Sequence, residues 1–275
     1  MSELMAIGDV MSGEEFNNFI NTLPGEFGKK TREARQRREK LIEEIGQEEY
    51  NRREAEKQRA QLEFEERQAA QKRSLRLLEK SGFGESIEEV REFMKTYSFI
   101  TFTRNDEFQK RMFELAQKFI RQAEYKFFAL TGAPGCGKTH LGTAISGHYL
   151  NAGKNTLYEI FGSLMNRLKS MLNDEEYGDE IYRLSCAEVL YIDDFMKPVK
   201  DEYGKVKPPT GADIRISFEL INLRTVKKRI TIITSERSLD DVIGIDEALG
   251  SRIKQQCGEF ALNIDKKEGR NYRLR

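Results

Sequence analysis

One octapeptide constrains this 275-residue chain more than any other feature. Gly132-Ala133-Pro134-Gly135-Cys136-Gly137-Lys138-Thr139 fits the pattern G-x-x-x-x-G-K-[ST] at every fixed position. A chain of this length meets that pattern by accident about once in a hundred cases, so the flanks decide. Upstream, Tyr125-Lys126-Phe127-Phe128-Ala129-Leu130-Thr131 is an apolar and aromatic run of strand length, and downstream Leu141, Ala144, Ile145, Tyr149 and Leu150 recur at helical spacing. Strand, glycine loop and helix thus follow in the order that cradles a phosphate chain. Glycines let the backbone curl so that successive N–H groups point inward, and the positive end of the following helix adds to the attraction. The expected ligand is a nucleoside triphosphate, with Lys138 reaching the β- and γ-phosphates and the Thr139 hydroxyl on Mg²⁺. The bland alternative, a glycine turn that binds nothing, is opposed by this strand-to-helix context.

The length accommodates one sizeable core plus an appendage. Charged residues make up 33% of the chain, above the roughly 25% of an average soluble protein. Lys+Arg and Asp+Glu are 46 each, so no global field points to nucleic acid and any basic surface is local. The three cysteines, Cys136, Cys186 and Cys257, are far apart and one lies inside the phosphate loop, which suggests neither a disulfide framework nor a zinc site. With no run of 18 apolar residues and an acidic, glycine-containing N-terminus, the expectation is a soluble cytoplasmic protein without membrane association.

The chain reads as two unlike halves. Leu4, Met5, Ile7, Val10, Phe16, Phe19, Ile20 and Leu23, ended by Pro24-Gly25, suggest a small helical element with an apolar face. From Lys29 to Lys80 the composition of Arg, Glu, Lys and Gln, with Gly46 the single glycine and no proline, favours long helix. Its apolar residues are too sparse to demand a coiled coil. The basic run Lys29 to Lys40 can touch phosphates, though a solvated charged face is the commoner use of such a stretch. We therefore expect a helical region over residues 1–80, a linker over 81–95 with Ser81-Gly82-Phe83-Gly84 as the hinge, and the nucleotide-binding domain over 96–275. Ile87, Val90, Phe93 and Met94, then Phe108, Met112, Phe113, Leu115, Ala116, Phe119 and Ile120, predict helices leading into the loop strand.

Further on, Val189-Leu190-Tyr191-Ile192 ends in Asp193-Asp194, as expected of a buried parallel strand that delivers carboxylates at its C-terminal end. Asp193 is expected to hold Mg²⁺ through its water shell and Asp194 to polarise an attacking water. A third strand, Ile230-Thr231-Ile232-Ile233-Thr234-Ser235, ends in hydroxyls able to sense a γ-phosphate, although Thr and Ser also end ordinary strands. Arg252, in Leu249-Gly250-Ser251-Arg252-Ile253, lies on a predicted helix and fits either an arginine finger reaching a neighbouring subunit's nucleotide or a surface salt bridge.

In this order the motifs resemble those of the AAA+ ATPases, and within them the bacterial and phage replicative helicase loaders of the DnaC/DnaI type, with the related IstB transposition ATPases. The resemblance runs over residues 75–275 and rests on Tyr97-Ser98-Phe99-Ile100-Thr101-Phe102, the phosphate loop with its trailing His140-Leu141-Gly142, Asp193-Asp194, Asn222-Leu223-Arg224, Ile233-Thr234-Ser235, Leu249-Gly250-Ser251-Arg252 and Asn271-Tyr272-Arg273. It implies an α/β fold with a central parallel sheet flanked by helices. It also implies ATP with Mg²⁺ as cofactors, His140 within the ATP-binding set, Asp194 as the catalytic acid and Arg252 as the finger. The implied partners are a DnaB-type hexameric helicase, single-stranded DNA, and further copies of the chain in an ATP-dependent spiral or ring. The N-terminal region is expected to grip the helicase.

Several positions depart from the family pattern. Ser235-Glu236 stands where Ser-Asn is usual, which leaves Thr234 or Ser235 as the sensor and predicts that Glu236 faces away from the γ-phosphate. No cysteine precedes Cys136, so docking is expected to fall to the charged helices rather than to a zinc module, and with 23 residues after Arg252 neither a full helical lid nor a C-terminal helix-turn-helix is expected. The segment Glu159 to Ser185 is expected to be a helix that steers the spiral, with Phe161 and Leu164 as plain core its rival reading. Lys197, Lys200, Lys205 and Lys207, and likewise Lys227-Lys228-Arg229, are candidates for DNA-backbone contacts or simply solvated cations. Three functions remain in view: a helicase loader, a transposition ATPase acting on duplex DNA, and a scaffold that binds ATP with little turnover.

Overall fold

Gly46 divides the charged N-terminal stretch into two helices, α1 (Gly25–Ile45) and α2 (Gln47–Glu79). At φ +82 and ψ 156 it adopts a conformation that side chains rarely tolerate. None of the 33 residues of α2 is buried. The helix rests on good helix formers and on pairs one turn apart, such as Arg53 with Glu49 at 2.9 Å and Lys57 with Glu54 at 2.8 Å. The computed structural model describes residues 19, 22–122, 124–200, 202–265 and 271–272. Most of the apolar pattern before Leu23, and Arg273, lie outside the described residues. The chain forms two compact units, residues 1–70 and 71–275.

The second unit begins with the last turns of α2 and the breaker segment Ser81 to Gly84, in which Ser81 and Phe83 are buried and the Ser81 carbonyl accepts from the Tyr158 N–H at 2.7 Å. The segment predicted to hinge is thus anchored. Two amphipathic helices follow, α3 (Ile87–Thr96) and α4 (Glu107–Arg121). Ser86 caps the first by accepting from the Glu89 N–H at 3.2 Å, and an Asp106/Gln109 capping box starts the second.

An alternating α/β run comes next: β1 (Phe127–Gly132), α5 (Lys138–Asn151), β2 (Thr156–Ile160), α6 (Phe161–Ser170), α7 (Glu176–Cys186) and β3 (Val189–Asp193). A small antiparallel hairpin, β4 (Val199–Lys200) and β5 (Val206–Lys207), precedes α8 (Gly211–Val226), β6 (Ile230–Ser235), α9 (Leu239–Ile245), α10 (Glu247–Cys257) and β7 (Ala261–Ile264). The main sheet has the order β2-β3-β6-β1-β7 and all its pairings are parallel.

Both faces of this sheet are covered, which explains the near-continuous apolar strands. Phe127, Ala129, Leu190, Ile192 and Ile233 point into one core with α6, α7, α8 and α10. Phe128, Leu130, Val189, Tyr191 and Ile232 point into the other with α3, α4 and α5. The register sets Thr131 opposite Ser235 and Ile192 opposite Ile233, so the C-terminal ends of β1, β3 and β6 come together. Ligands of open parallel sheets bind at such a strand edge.

The segment from Glu159 to Ser185 is not one helix. Its first two residues complete β2, and two helices follow, because a five-residue strand gives a weaker pattern than the helical spacing after it. Phe161 and Leu164 are core residues, 7% and 0% exposed. Arg224, from the Asn-Leu-Arg motif, is fully buried and staples α7 to β6: its guanidinium donates to Thr231 Oγ1 at 2.9 Å, to the Ala187 carbonyl at 3.0 Å and to the Leu184 carbonyl. Among the described residues no helix is long and apolar enough to cross a membrane.

Candidate nucleotide site

The phosphate loop links β1 to α5 and is braced from both sides. Gly132 has φ +99, and a Cβ there would fall 2.1 Å from the Ile264 carbonyl oxygen. Gly137 is the left-handed N-cap of α5, where a Cβ would press on the Phe102 ring at 2.9 Å. The Ala133 N–H donates to Ile264 O at 2.9 Å, and the Tyr272 N–H donates to Gly135 O at 3.1 Å. Pro134 is exposed, whereas Ala133 and Cys136 are buried packing residues, and burial pushes the Cys136 thiol up from its ordinary value. Lys138 is 7% exposed and donates to Gly132 O at 3.0 Å and Ala133 O at 2.6 Å. Burial lowers its pKa, countered by Cys136 and by the carboxylates Glu236, Asp194 and Asp193.

Asp193 is the hub of the acid side. Its Oδ1 accepts from Thr139 Oγ1 at 3.3 Å, from the Asp194 N–H at 3.0 Å and from the Thr234 hydroxyl, and its Oδ2 accepts from the Tyr158 hydroxyl at 3.3 Å. Tyr191 extends the network, its hydroxyl lying 3.3 Å from Thr234 Oγ1. Asp194 sits at φ +55, a conformation uncommon outside glycine that turns the backbone just after the strand. Lys197 Nζ lies 2.9 Å from Asp194 Oδ2 and 3.5 Å from Glu236 Oε1. Glu236 therefore does not face away. One ammonium holds it together with Asp194 at the acid end, which neutralises a charge that would otherwise be repelled there.

The remaining candidates separate by their partners. Ser235 donates to Phe195 O at 2.6 Å and accepts from the Arg237 N–H at 2.9 Å, so its hydroxyl closes a turn and Thr234 is the hydroxyl directed at the acids. His140 Nε2 lies 2.9 Å from Ser98 O, and its ring meets Tyr97 and Phe102 edge-on. It ties the Tyr97–Phe102 motif to α5, and burial lowers its pKa. Arg252 donates to Asn222 Oδ1 and lies 5.0 Å from the centroid of Phe218, both on α8. These partners belong to a helix of the other core and not to the phosphate loop. Lys227 donates to Ser185 Oγ at 2.7 Å and Cys186 Sγ at 3.0 Å.

With this geometry the comparisons with known proteins agree. The family profile described as IstB-like ATP binding protein matches residues 65–257. The chain belongs to the IstB-like ATP binding proteins. It is 30% identical over 202 residues to the uncharacterized protein YqaM of Bacillus subtilis strain 168, an alignment covering 70% of this chain and 60% of YqaM. It is 25% identical over 169 residues to the replicative helicase loader DnaC of Buchnera aphidicola subsp. Schizaphis graminum, covering 60% of this chain and 64% of DnaC. The chain thus spans less than two thirds of either relative. A crystal structure of the DnaC helicase loader superimposes with a TM-score of 0.51 at 19% identity, over 62% of this chain and 97% of that one, which shows a shared fold.

The donor set of this IstB-like chain fits a magnesium nucleotide. A glycine cradle with no room for side chains opens onto a helix N-terminus, a buried ammonium is held only by carbonyls among its described hydrogen bonds, and a threonine hydroxyl touches a buried carboxylate. Thr139 and Asp193 are the residues that would hold a hard dication, which would neutralise charge on a bound phosphate chain. Tyr158, Tyr191 and Lys197 are the site-side residues that sequence reasoning passed over or assigned elsewhere. For the two tyrosines the signal was period-2 spacing, which puts Tyr191 on the same face as Asp193 and, through the β2–β3 register, Tyr158 opposite Tyr191, whereas Lys197 lies outside the strands and three residues after Asp194.

Proposed function

We propose that this chain is an ATP-dependent loader that grips a hexameric replicative helicase and places it on single-stranded DNA. The observation that carries the reading is the separation of Arg252 from the phosphate loop. Lys138, Thr139, Asp193 and Asp194 gather at one strand edge, while Arg252 rests on α8 with no described partner in the phosphate loop. A finger arginine that acts on a neighbour's nucleotide makes hydrolysis conditional on assembly. In this reading Lys138 and the loop amides hold the phosphates, and Thr139 and Asp193 hold Mg²⁺, which supplies charge neutralisation on the β- and γ-phosphates when bound. Asp194 orients the attacking water once Lys197 yields it. Arg252 of one subunit meets the developing negative charge in the next. The helices α1 and α2, with Phe27, Leu62 and Phe64 more than half exposed, offer the helicase a docking surface.

The test is complementation. Lys138→Ala and Arg252→Ala should each abolish ATP hydrolysis, and a mixture of the two should recover part of it by pairing an intact loop with an intact finger. No recovery at any ratio would sink the shared site. Deleting residues 1–80 should end capture by a DnaB-type helicase, and full capture by the truncated chain would remove the docking assignment. The family profile keeps a second reading in play, a transposition ATPase. A preference for long duplex over single strands would favour it, and hydrolysis indifferent to any DNA would favour a scaffold.

A further inference from the structure

Three contacts converge on Tyr158, in the middle of β2. Its N–H donates to Ser81 O at 2.7 Å, its ring stacks on Phe83 with centroids 4.6 Å apart and planes within 9°, and its hydroxyl donates to Asp193 Oδ2 at 3.3 Å. Gly82, between the two docked residues, runs so close to the strand at φ +80 that an added Cβ would lie 2.6 Å from Tyr158 O. This segment follows directly from the end of α2 at Glu79. One side chain therefore touches both the anchor of the charged helix and the carboxylate assigned to the cation.

The arrangement is more specific than a satisfied hydroxyl requires. Asp193 Oδ1 accepts from Thr139, Thr234 and the Asp194 N–H, while Oδ2 accepts from the Tyr158 hydroxyl. The Tyr158 ring is in turn stacked on Phe83, with Tyr191 5.1 Å and Phe93 6.3 Å away on tilted planes. Displacing Ser81–Phe83 removes the stacking partner and the backbone bond together, which leaves the ring its tilted contacts to Tyr191 and Phe93 and loosens the direction of the phenol.

We propose that Tyr158 is a positioning residue that transmits the docking of Ser81–Phe83 to the Asp193 carboxylate, so that load on the helical arm and Mg²⁺-dependent nucleotide binding are coupled. This rests on the assignment of Asp193 to the cation. By linkage the effect is reciprocal: bound Mg²⁺-nucleotide tightens the docked segment, and whatever pulls the segment away weakens the nucleotide by the same factor.

The experiment titrates the full-length protein with a fluorescent methylanthraniloyl-ATP, in Mg²⁺ and in EDTA. Tyr158→Phe keeps the ring, the strand and the stack while deleting the hydroxyl. It should weaken binding in Mg²⁺ about three- to tenfold and leave binding in EDTA unchanged, a split that a general loss of packing does not produce. Phe83→Leu should weaken binding in Mg²⁺ about two- to fivefold, and the double variant should be no weaker than Tyr158→Phe alone. Hydrogen exchange of the Tyr158 amide in the wild type supplies a second readout, which decides even if a variant fails to fold. That exchange should slow when Mg²⁺ and the analogue are added together. Unchanged exchange, a Tyr158→Phe affinity equal to wild type in Mg²⁺, or fully additive effects of the two substitutions would each overturn the coupling. Failure of the wild type to bind the analogue in Mg²⁺ would instead overturn the nucleotide reading itself.

Discussion

Helices α2 and α5 form for opposite reasons. In α2 none of the 33 residues is buried, and the sequence is dense in Glu, Arg, Gln, Lys and Ala, so backbone propensity and pairs one turn apart sustain it. In α5 ten of the 14 residues are buried, and two are mid-helix glycines that a free helix would avoid. Gly142 lies against the Tyr191 ring, where a Cβ would fall 2.5 Å away, and a Cβ on Gly147 would fall 2.9 Å from Met94 Sδ. Tertiary packing holds α5 despite its local preferences, whereas α2 has local preference and meets the core only through the partly buried Leu77 and Leu78 of its last turn. A helix of the first kind stays exposed for partners, and one of the second kind fixes a loop in place.

Cavity formation gives the widest separation between the two. Leu141→Ala, at a fully buried position, should lower unfolding free energy by about 3–5 kcal/mol in urea, while Leu62→Ala on α2 should stay within about 0.5 kcal/mol. An equal cost for Leu62→Ala would mean that α2 carries a packed face, and the contrast would break.

Gly142→Ala sharpens it with a change of sign. Propensity alone predicts a gain of up to about 1 kcal/mol, and the Tyr191 contact predicts a loss of about 1–3 kcal/mol. We expect the loss, measured by the same denaturation.

Smaller effects come from charge. Lys197 is 43% exposed at its side chain, so its pairs with Asp194 and Glu236 are partly screened. Lys197→Ala should weaken nucleotide affinity by about two- to fivefold at low salt and less at high salt, because two carboxylates are left uncompensated beside the phosphates. Removing a cation from an α2 pair, as in Arg53→Ala, should leave nucleotide affinity where it was.

The smallest effect is a matter of thiol reactivity. The Lys227 hydrogen bond lowers the pKa of Cys186, so its iodoacetamide alkylation should reach half-maximal rate below the ordinary thiol pH, and Lys227→Ala should move that midpoint up. Cys136 and Cys257 are buried with raised pKa values and should react only on unfolding. The described arm contains no cysteine, so their labelling reports the second unit alone.

Much of the site was legible because it is local. Gly132 to Thr139 is a backbone shape written by consecutive residues, and Asp193-Asp194 closes a strand whose apolar run announces itself. The strands β2 and β7 were missed because short segments such as Thr156–Ile160 and Ala261–Ile264 become strands only by pairing with residues far along the chain. Ser235 and His140 carry the right chemistry for a nucleotide site, yet Ser235 donates to the Phe195 carbonyl and His140 Nε2 lies within hydrogen-bond distance of Ser98 O and Thr101 Oγ1. Which hydroxyl faces the acids follows from strand alternation and register, not from composition.

By itself the sequence determined the phosphate loop, the acid pair at a strand end, the helical arm and an alternating α/β body. Each of these follows from interactions within a few residues: φ-permissive glycines, apolar periodicity, i to i+4 pairing. Only the tertiary structure decided that Glu236 turns inward under Lys197, that Arg252 rests on α8, that Ser81–Phe83 is docked rather than free, and that Tyr158 joins that segment to Asp193. Those outcomes depend on side chains from separate strands and helices meeting at one sheet edge, and no local pattern encodes such a meeting.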